Sequence, residues 1–418
     1  MNCKNCGSEL EEGAKFCGKC GTEIKEINLS SMDKNKDKKN IIMPIVIVFG
    51  LIIIATVIIS NSIDKKTNYV NDNNNWYNED SYYEDSYYEE SNYENSNSLD
   101  DSYEYEEFHN PVGKETLQYP SQNDIFKYDV YETYVEITGY IGNDITGDLI
   151  IPDEIDDLPV RSIGKEAFGV EQGMYIVTGS SISSVVIPDT VYNIGDFAFA
   201  QCELLESVDF GNSVVSIGLS AFEQTAVKSI NLPDSLTKLR HRIFKSCKNL
   251  QSVTIGDGLA FVSDEMFCSC SKLKEINWGA NITQIGISAF ERTGFSKIKL
   301  PDTVTEIYAG AFSHIKNLEE FIFSDKIEMV EAFALSDCPN LKKVDIGRGL
   351  ISLPENLFNN STNIQELIIP GNVTKINSNV FGGEYAGGGA KPTIYGEKGS
   401  EAASFASKKG LAFKLIEN

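Results

Sequence analysis

IPDTVYNIGDFAF, from Ile187 to Phe199, recurs as LPDTVTEIYAGAF from Leu300 to Phe312. Between and beyond these copies the closing residue keeps time. Phe199, Phe222, Phe244, Phe267, Phe290, Phe312, Leu335, Phe358 and Phe381 are separated by 23, 22, 23, 23, 22, 23, 23 and 23 residues. A single globular core imposes no such interval, whereas one supersecondary unit stacked many times does. The spacing predicts a solenoid of parallel β-strands joined by short turns, in coils of 22–23 residues.

Each coil carries the same apolar skeleton. Five residues before the anchor stands Ile194, Ile217, Leu239, Val262, Ile285, Ile307, Val330, Leu353 or Ile376. After it comes a run such as Leu250-x-x-Val253-x-Ile255 or Leu341-x-x-Val344-x-Ile346, alternating as a strand with one buried face does. Pro188-Asp189, Pro233-Asp234 and Pro301-Asp302 then form corners, because proline cannot donate to a ladder. No coil covers its own apolar side, so stacking buries each large side chain for roughly 1.5–3 kcal/mol. The coils of Phe222 and Phe290 are one residue short after the anchor, where a turn absorbs the loss. Phe168, preceded by Ile163, is a further anchor, and Glu171–Ser181 reads as an inserted loop. Cys202, Cys247, Cys270 and Cys338 share one coil position, so they read as an inward rung. Neighbouring coils would allow a Cys247–Cys270 bridge, and off-register Cys268 reads as an exposed thiol.

The in-register runs Ile187–Phe199 and Leu300–Phe312 resemble the BspA-like leucine-rich repeats of bacterial and protist surface proteins. That resemblance spans 125–418 and implies a leucine-rich repeat solenoid. It also places an N-terminal cap at 111–160, repeats at 161–392 and a C-terminal cap at 393–418. Ile125–Asp153 resembles the opening strands of such arrays, and Thr393–Gly396 with a helix from Ser400 to Lys409 resembles their closing unit. The implied role is adhesion or another host or cell interaction.

The first 110 residues differ in composition. Within residues 1–26, Cys3-x-x-Cys6 and Cys17-x-x-Cys20 are each followed by glycine, Gly7 and Gly21. Four thiolates on two such knuckles suit one structural Zn²⁺ with no open coordination position; iron or disulfides are the alternatives. The segment resembles the short zinc ribbons of many bacterial membrane proteins. Lys4, Lys15, Lys19 and Lys25 are balanced by Glu9, Glu11, Glu12, Glu23 and Glu26, so no nucleic-acid partner is expected.

A basic juxtamembrane linker at 27–40 leads into Ile41–Ser60, which carries no charge. At 1.5 Å per residue that run spans a ~30 Å hydrocarbon core as one transmembrane helix. Lys34, Lys36, Lys38 and Lys39 precede it and Lys65 and Lys66 follow, which puts the N-terminus in the cytoplasm and the repeats outside. Reduced thiolates in the cytosol agree with that topology. Residues 61–110 form an acidic, Tyr- and Asn-rich stretch: from Asp64 to Glu107 there are fourteen Asp or Glu against Lys65 and Lys66. It contributes about half of the net charge of -25 and reads as an extended, disordered linker.

Chemistry for catalysis is not legible. His109, His241 and His314 are scattered, without the spacing of a metal site or triad, and His314 reads as a solvated turn residue. No enzyme is expected. The outward side of the repeat strands carries the candidate ligand residues. One column reads Ser184, Ser207, Ser229, Ser252, Glu275, Lys297, Glu320, Lys343, Glu366, a serine ladder passing into alternating charge. Beside it stand Asp209, Asn231, Thr254, Asn277, Lys299 and Asp345. The expected function is a single-pass cell-membrane protein binding an extracellular protein or glycan. The alternative is a transmembrane sensor or assembly subunit whose zinc ribbon recruits a cytosolic protein.

Overall fold

The computed structural model describes residues 119–123, 125–141, 146–170, 181–383 and 390–416. The zinc knuckles, the apolar run at 41–60, the acidic linker and nearly all of the inserted loop lie outside them. Within the described residues each coil carries two short parallel strands. The longer is the predicted one: Ser207–Asp209, Ser229–Asn231, Ser252–Thr254, Glu275–Asn277, Lys297–Lys299, Glu320–Ile322, Lys343–Asp345 and Glu366–Ile368. The shorter ends on the aliphatic residue five before the anchor, as in Asn193–Ile194, Ser216–Ile217 and Gln284–Ile285. Most strands pair in register with their counterpart on the next coil, for example Ser229 with Ser252 with Glu275. The period of two then decides burial: Ile230, Val253, Ile298, Phe321, Val344 and Leu367 face inward and their strand neighbours face out.

The anchors form an internal aromatic column. Rings of Phe168, Phe199, Phe222, Phe244, Phe267, Phe290 and Phe312 stack nearly parallel at 5.1, 5.2, 5.5, 5.8, 5.5 and 5.3 Å. Tyr140 of the cap extends the stack at 6.1 Å from Phe168. Offset rings of this kind add about 0.5–1.5 kcal/mol per pair beyond burial. Leu335 replaces one ring and is fully buried, and the column resumes with Phe358 and Phe381.

The turn around each anchor is joined to the next coil chiefly by main-chain hydrogen bonds. Arg242, Phe244 and Ser246 donate their N–H groups to the carbonyls of Asp264, Met266 and Cys268 one coil on, at 3.0, 3.0 and 2.8 Å. Alternation of this kind needs left-handed backbone two residues before and two after the anchor. Ser220 and Gln224, Arg242 and Ser246, Glu265 and Ser269, and Ser288 and Arg292 all have φ between 50° and 63°. None of these eight is glycine, asparagine or aspartate, the types that favour a left-handed backbone; only later coils carry them there, as Gly310, Asp337, Asn356 and Asn360.

The two short coils leave a visible trace. The longer-strand ladder is interrupted between Ser207–Asp209 and Ser229–Asn231, and again between Glu275–Asn277 and Lys297–Lys299. Both interruptions follow the turns that lack a residue, after Phe222 and Phe290. Elsewhere along the repeats 207–368 this ladder is continuous, so the missing residue costs hydrogen bonds in the strand, not only slack in the turn.

Both ends are covered. Tyr119–Gln122, Phe126–Val130 and Val135–Tyr140 pair antiparallel, and the last continues in parallel onto Leu158–Ile163. At the other end Thr393–Gly396 extends the ladder and a helix, Glu401–Lys409, closes the stack. Ser400 caps its N-terminus, Gly410 at φ 64° ends it, and Phe405 lies 6.3 Å from Phe381. Among the described residues no helix is long and apolar enough to cross a membrane.

Candidate functional site

Three sides of the coil could carry function: the corners, the anchor turns and the outward strand face. At the corners the recurring aspartate has a structural task that proline alone did not suggest. Asp189, Asp234, Asp257 and Asp325 accept the N–H groups of Asn212, Asp257, Ala280 and Arg348 on the following coil, at 2.7–3.0 Å. The carboxylate continues the inter-coil hydrogen bonding where the strand has ended. Recurrence of Asp after Pro or Gly was the available signal.

The anchor turns gather several titratable groups. Lys245 and Arg242 converge on Glu265 at 2.7 and 3.0 Å. Burial alone would raise the Glu265 carboxyl, but the two cations bring it below the ordinary range. Glu223 is buried nearby, and that burial pushes its carboxyl up. His314 lies in the turn after Phe312 with 42 % of its side chain exposed, between carboxylates of the adjacent coils. Its Nδ1 is 3.6 Å from Glu291 and its Nε2 is 3.9 Å from Asp337. Among the described residues no group of His, Cys, Asp and Glu is arranged to hold a metal ion.

The cysteines separate cleanly. Cys202, Cys247, Cys270 and Cys338 are fully buried, and each thiol donates to the carbonyl of the preceding anchor: Phe168, Phe222, Phe244 and Phe312. Thr225 and Thr293 fill the same rung in the short coils, bonding their own anchors' carbonyls at 3.0 and 2.7 Å. Cys247 and Cys270 are free thiols. Cys268 corrects the expectation of an exposed thiol: it is 5 % exposed, because the turn packs it between neighbouring coils. Burial pushes it to about 11, with Glu291 adding to the effect, so it is no nucleophile at neutral pH.

The outward strand face brings the remaining candidates together. Register aligns Ser229, Ser252 and Glu275 in one column and Asn231, Thr254 and Asn277 in the next. Further on, Lys297, Glu320, Lys343 and Glu366 are aligned, with Lys299, Ile322, Asp345 and Ile368 beside them. The alternating ladder closes only in part. Glu320 sits 3.2 Å from both Lys297 and Lys343, which hold its carboxyl below the usual range. Glu275 and Lys297 form no ion pair, because the ladder is interrupted between them, and Glu366 has none either. Asp345 turns back to accept the N–H of Gly347, and Asp209 remains exposed.

With this geometry in view, the likenesses to other proteins can be placed. A family model described as the BspA type leucine rich repeat region, in six copies, matches residues 170–294 and 283–385. A zinc-ribbon domain model matches residues 2–24, which contain Cys3, Cys6, Cys17 and Cys20. Neither describes an enzyme. Among solved structures the chain is similar to a leucine rich cell surface protein from Faecalibacterium prausnitzii. Identity is 21 %, covering 72 % of this chain and 96 % of that one, with a TM-score of 0.43. A leucine-rich repeat protein from Bacteroides ovatus is 21 % identical over 72 % of this chain and 100 % of that one, TM-score 0.36. The pneumococcal vaccine antigen PcpA is 16 % identical over 72 % and 100 %, TM-score 0.37. Comparison with curated proteins returns no match.

Proposed function

The chain belongs to the BspA-type leucine-rich repeat family, and on that premise we propose that it is a membrane-anchored surface protein. Its repeats would be displayed outside the cell to bind a protein or glycan ligand in adhesion. The observation that carries this reading is the outward strand face, a row of aligned polar side chains much of which has no partner within the chain. The apolar run Ile41–Ser60, flanked by four lysines before and two after, supplies the anchor and its direction. Cys3, Cys6, Cys17 and Cys20 would hold one structural Zn²⁺ in the cytoplasm; four thiolates with C-x-x-C spacing fit a closed tetrahedral site. The acidic linker would lift the array from the membrane.

Shaving intact cells with protease and identifying the released peptides tests display. Peptides from 181–383 should appear in the medium, and peptides from 1–40 should not. Recovery of the opposite set would reverse the topology; recovery of neither would count against display of the repeats on an accessible surface. Deletion of residues 1–26 separates the adhesin from a sensor or assembly subunit: attachment survives in the first case, and a cytosolic partner is lost in the second.

A further inference from the structure

We propose that the three-strand block Ser229–Asn231, Ser252–Thr254 and Glu275–Asn277 is a platform for an uncharged, linear glycan lying along the stack. This rests on the reading of the outward strand face as the ligand surface and names the ligand class. The block is discrete. It hydrogen-bonds as a sheet of its own, bounded on each side by a coil that is one residue short.

Its outward side chains are the ones left open. Among the described residues, none of Ser229, Asn231, Ser252, Thr254, Glu275 and Asn277 makes a side-chain hydrogen bond or ion pair within the chain, and four of the six are exposed. Both flanks are partly tied up: Ser184 donates to Asp148 at 2.7 Å and Lys228 meets Glu206 at 2.6 Å on one side, and Glu320 bridges Lys297 and Lys343 on the other. Asp209 and Lys299, one of each sign, stay exposed on the flanking strands, and the block itself holds a single charged side chain, the carboxylate of Glu275.

Elimination by chemistry follows. A nucleic acid or sulfated polymer requires unpaired lysine or arginine, and this block has none. A tight protein contact is anchored on buried aromatic or large apolar side chains, and its outward positions offer none. What remains is a partner rich in hydroxyls and free of charge. Hydroxyl and carboxamide side chains donate and accept, matching a sugar hydroxyl in either sense, and a lone carboxylate accepts from two vicinal hydroxyls at once. In-register rungs recur at about 4.8 Å. That interval is close to the advance per ring of an extended, equatorially linked pyranose chain, so successive sugars meet successive rungs.

The test uses the full-length protein in detergent and an immobilised panel of linear hexasaccharides. Neutral members are β-linked glucose, mannose, galactose and N-acetylglucosamine; heparin and hyaluronan fragments are the charged members. A neutral hexasaccharide should bind with an affinity unchanged between low and high salt. The triple variant Asn231→Ala, Thr254→Ala, Asn277→Ala should weaken it about tenfold or more, the loss of three hydrogen bonds. Lys316→Ala with Lys375→Ala, exposed and off the longer-strand face, should not. Unchanged thermal unfolding of the triple variant excludes a folding defect. Binding of charged members only, binding of none, or indifference to the triple variant overturns the proposal. If the triple variant abolishes cell attachment while no glycan binds, the ligand face stands and the glycan falls; if attachment is untouched, both fall.

Discussion

Arg240 reaches across a whole coil to Asp196: its Nη1 lies 2.8 Å from Oδ2, although the two residues belong to coils that are not neighbours. The coil between them presents Gly218, and the other carboxylate oxygen of Asp196 accepts the N–H of Leu219 at 2.7 Å. A Cβ on Gly218 would lie 2.5 Å from the backbone nitrogen of Asp196. Three coils are thus tied at one point, and glycine is required for close approach rather than for its φ.

Gly218→Ala should therefore push the coils apart, costing about 1–3 kcal/mol as overpacking does. Arg240→Met, which keeps the stem and removes the charge, should cost about 1.5–3 kcal/mol through the lost charged hydrogen bond. Chemical denaturation of each variant measures both. Wild-type stability in Gly218→Ala would show that the stack absorbs the side chain freely.

At Gln224, φ is 58°, and its N–H donates to the Lys245 carbonyl of the next coil. Gln224→Gly should raise stability by up to about 1 kcal/mol, since glycine holds a left-handed conformation without strain, and Gln224→Val should lower it. Thermal unfolding of the pair gives opposite shifts. Equal shifts would mean that the side chain, not the backbone, decides this position.

Glu320 is held by Lys297 and Lys343, so its carboxyl titrates below the unfolded value. A depressed folded pKa contributes stability that is present above the unfolded pKa and lost as pH falls through the folded one. Glu320→Gln should thus be less stable than wild type at neutral pH, by under about 1 kcal/mol given the exposure, and equal to it in acid. High salt should erase the difference. A gap that widens in acid would have the wrong sign.

Five of the nine cysteines are buried in the repeats, and burial pushes Cys268 to about 11 and Cys338 to about 12. An alkylating reagent applied to the native protein should spare all five. Adding a zinc chelator should expose only Cys3, Cys6, Cys17 and Cys20, and denaturant should expose all nine. Labelling of Cys247 or Cys270 in the native state would show that the stack opens locally.

Periodicity told much of this in advance, because stacking forces identical positions to meet identical surroundings. Phe199 to Phe381, the inward strand residues and the rung of Cys202, Cys247, Cys270 and Cys338 were legible for that reason. Left-handed turns were not, since main-chain hydrogen bonding imposes them on Ser220, Arg242 and Glu265, residues with no preference for them. The charge ladder was over-read at Glu275: a one-residue shortage after Phe290 interrupts pairing between Glu275 and Lys297, which no column of aligned letters reveals. Cys268 was misplaced because turn packing depends on neighbours from other coils.

The repeating turns carry an evolutionary corollary. Since each coil joins the next chiefly through main-chain amides and carbonyls at fixed positions, whole 22- or 23-residue cassettes can be duplicated or excised by recombination and the junction re-forms the same bonds. The array can then lengthen or shorten while its interior stays the same.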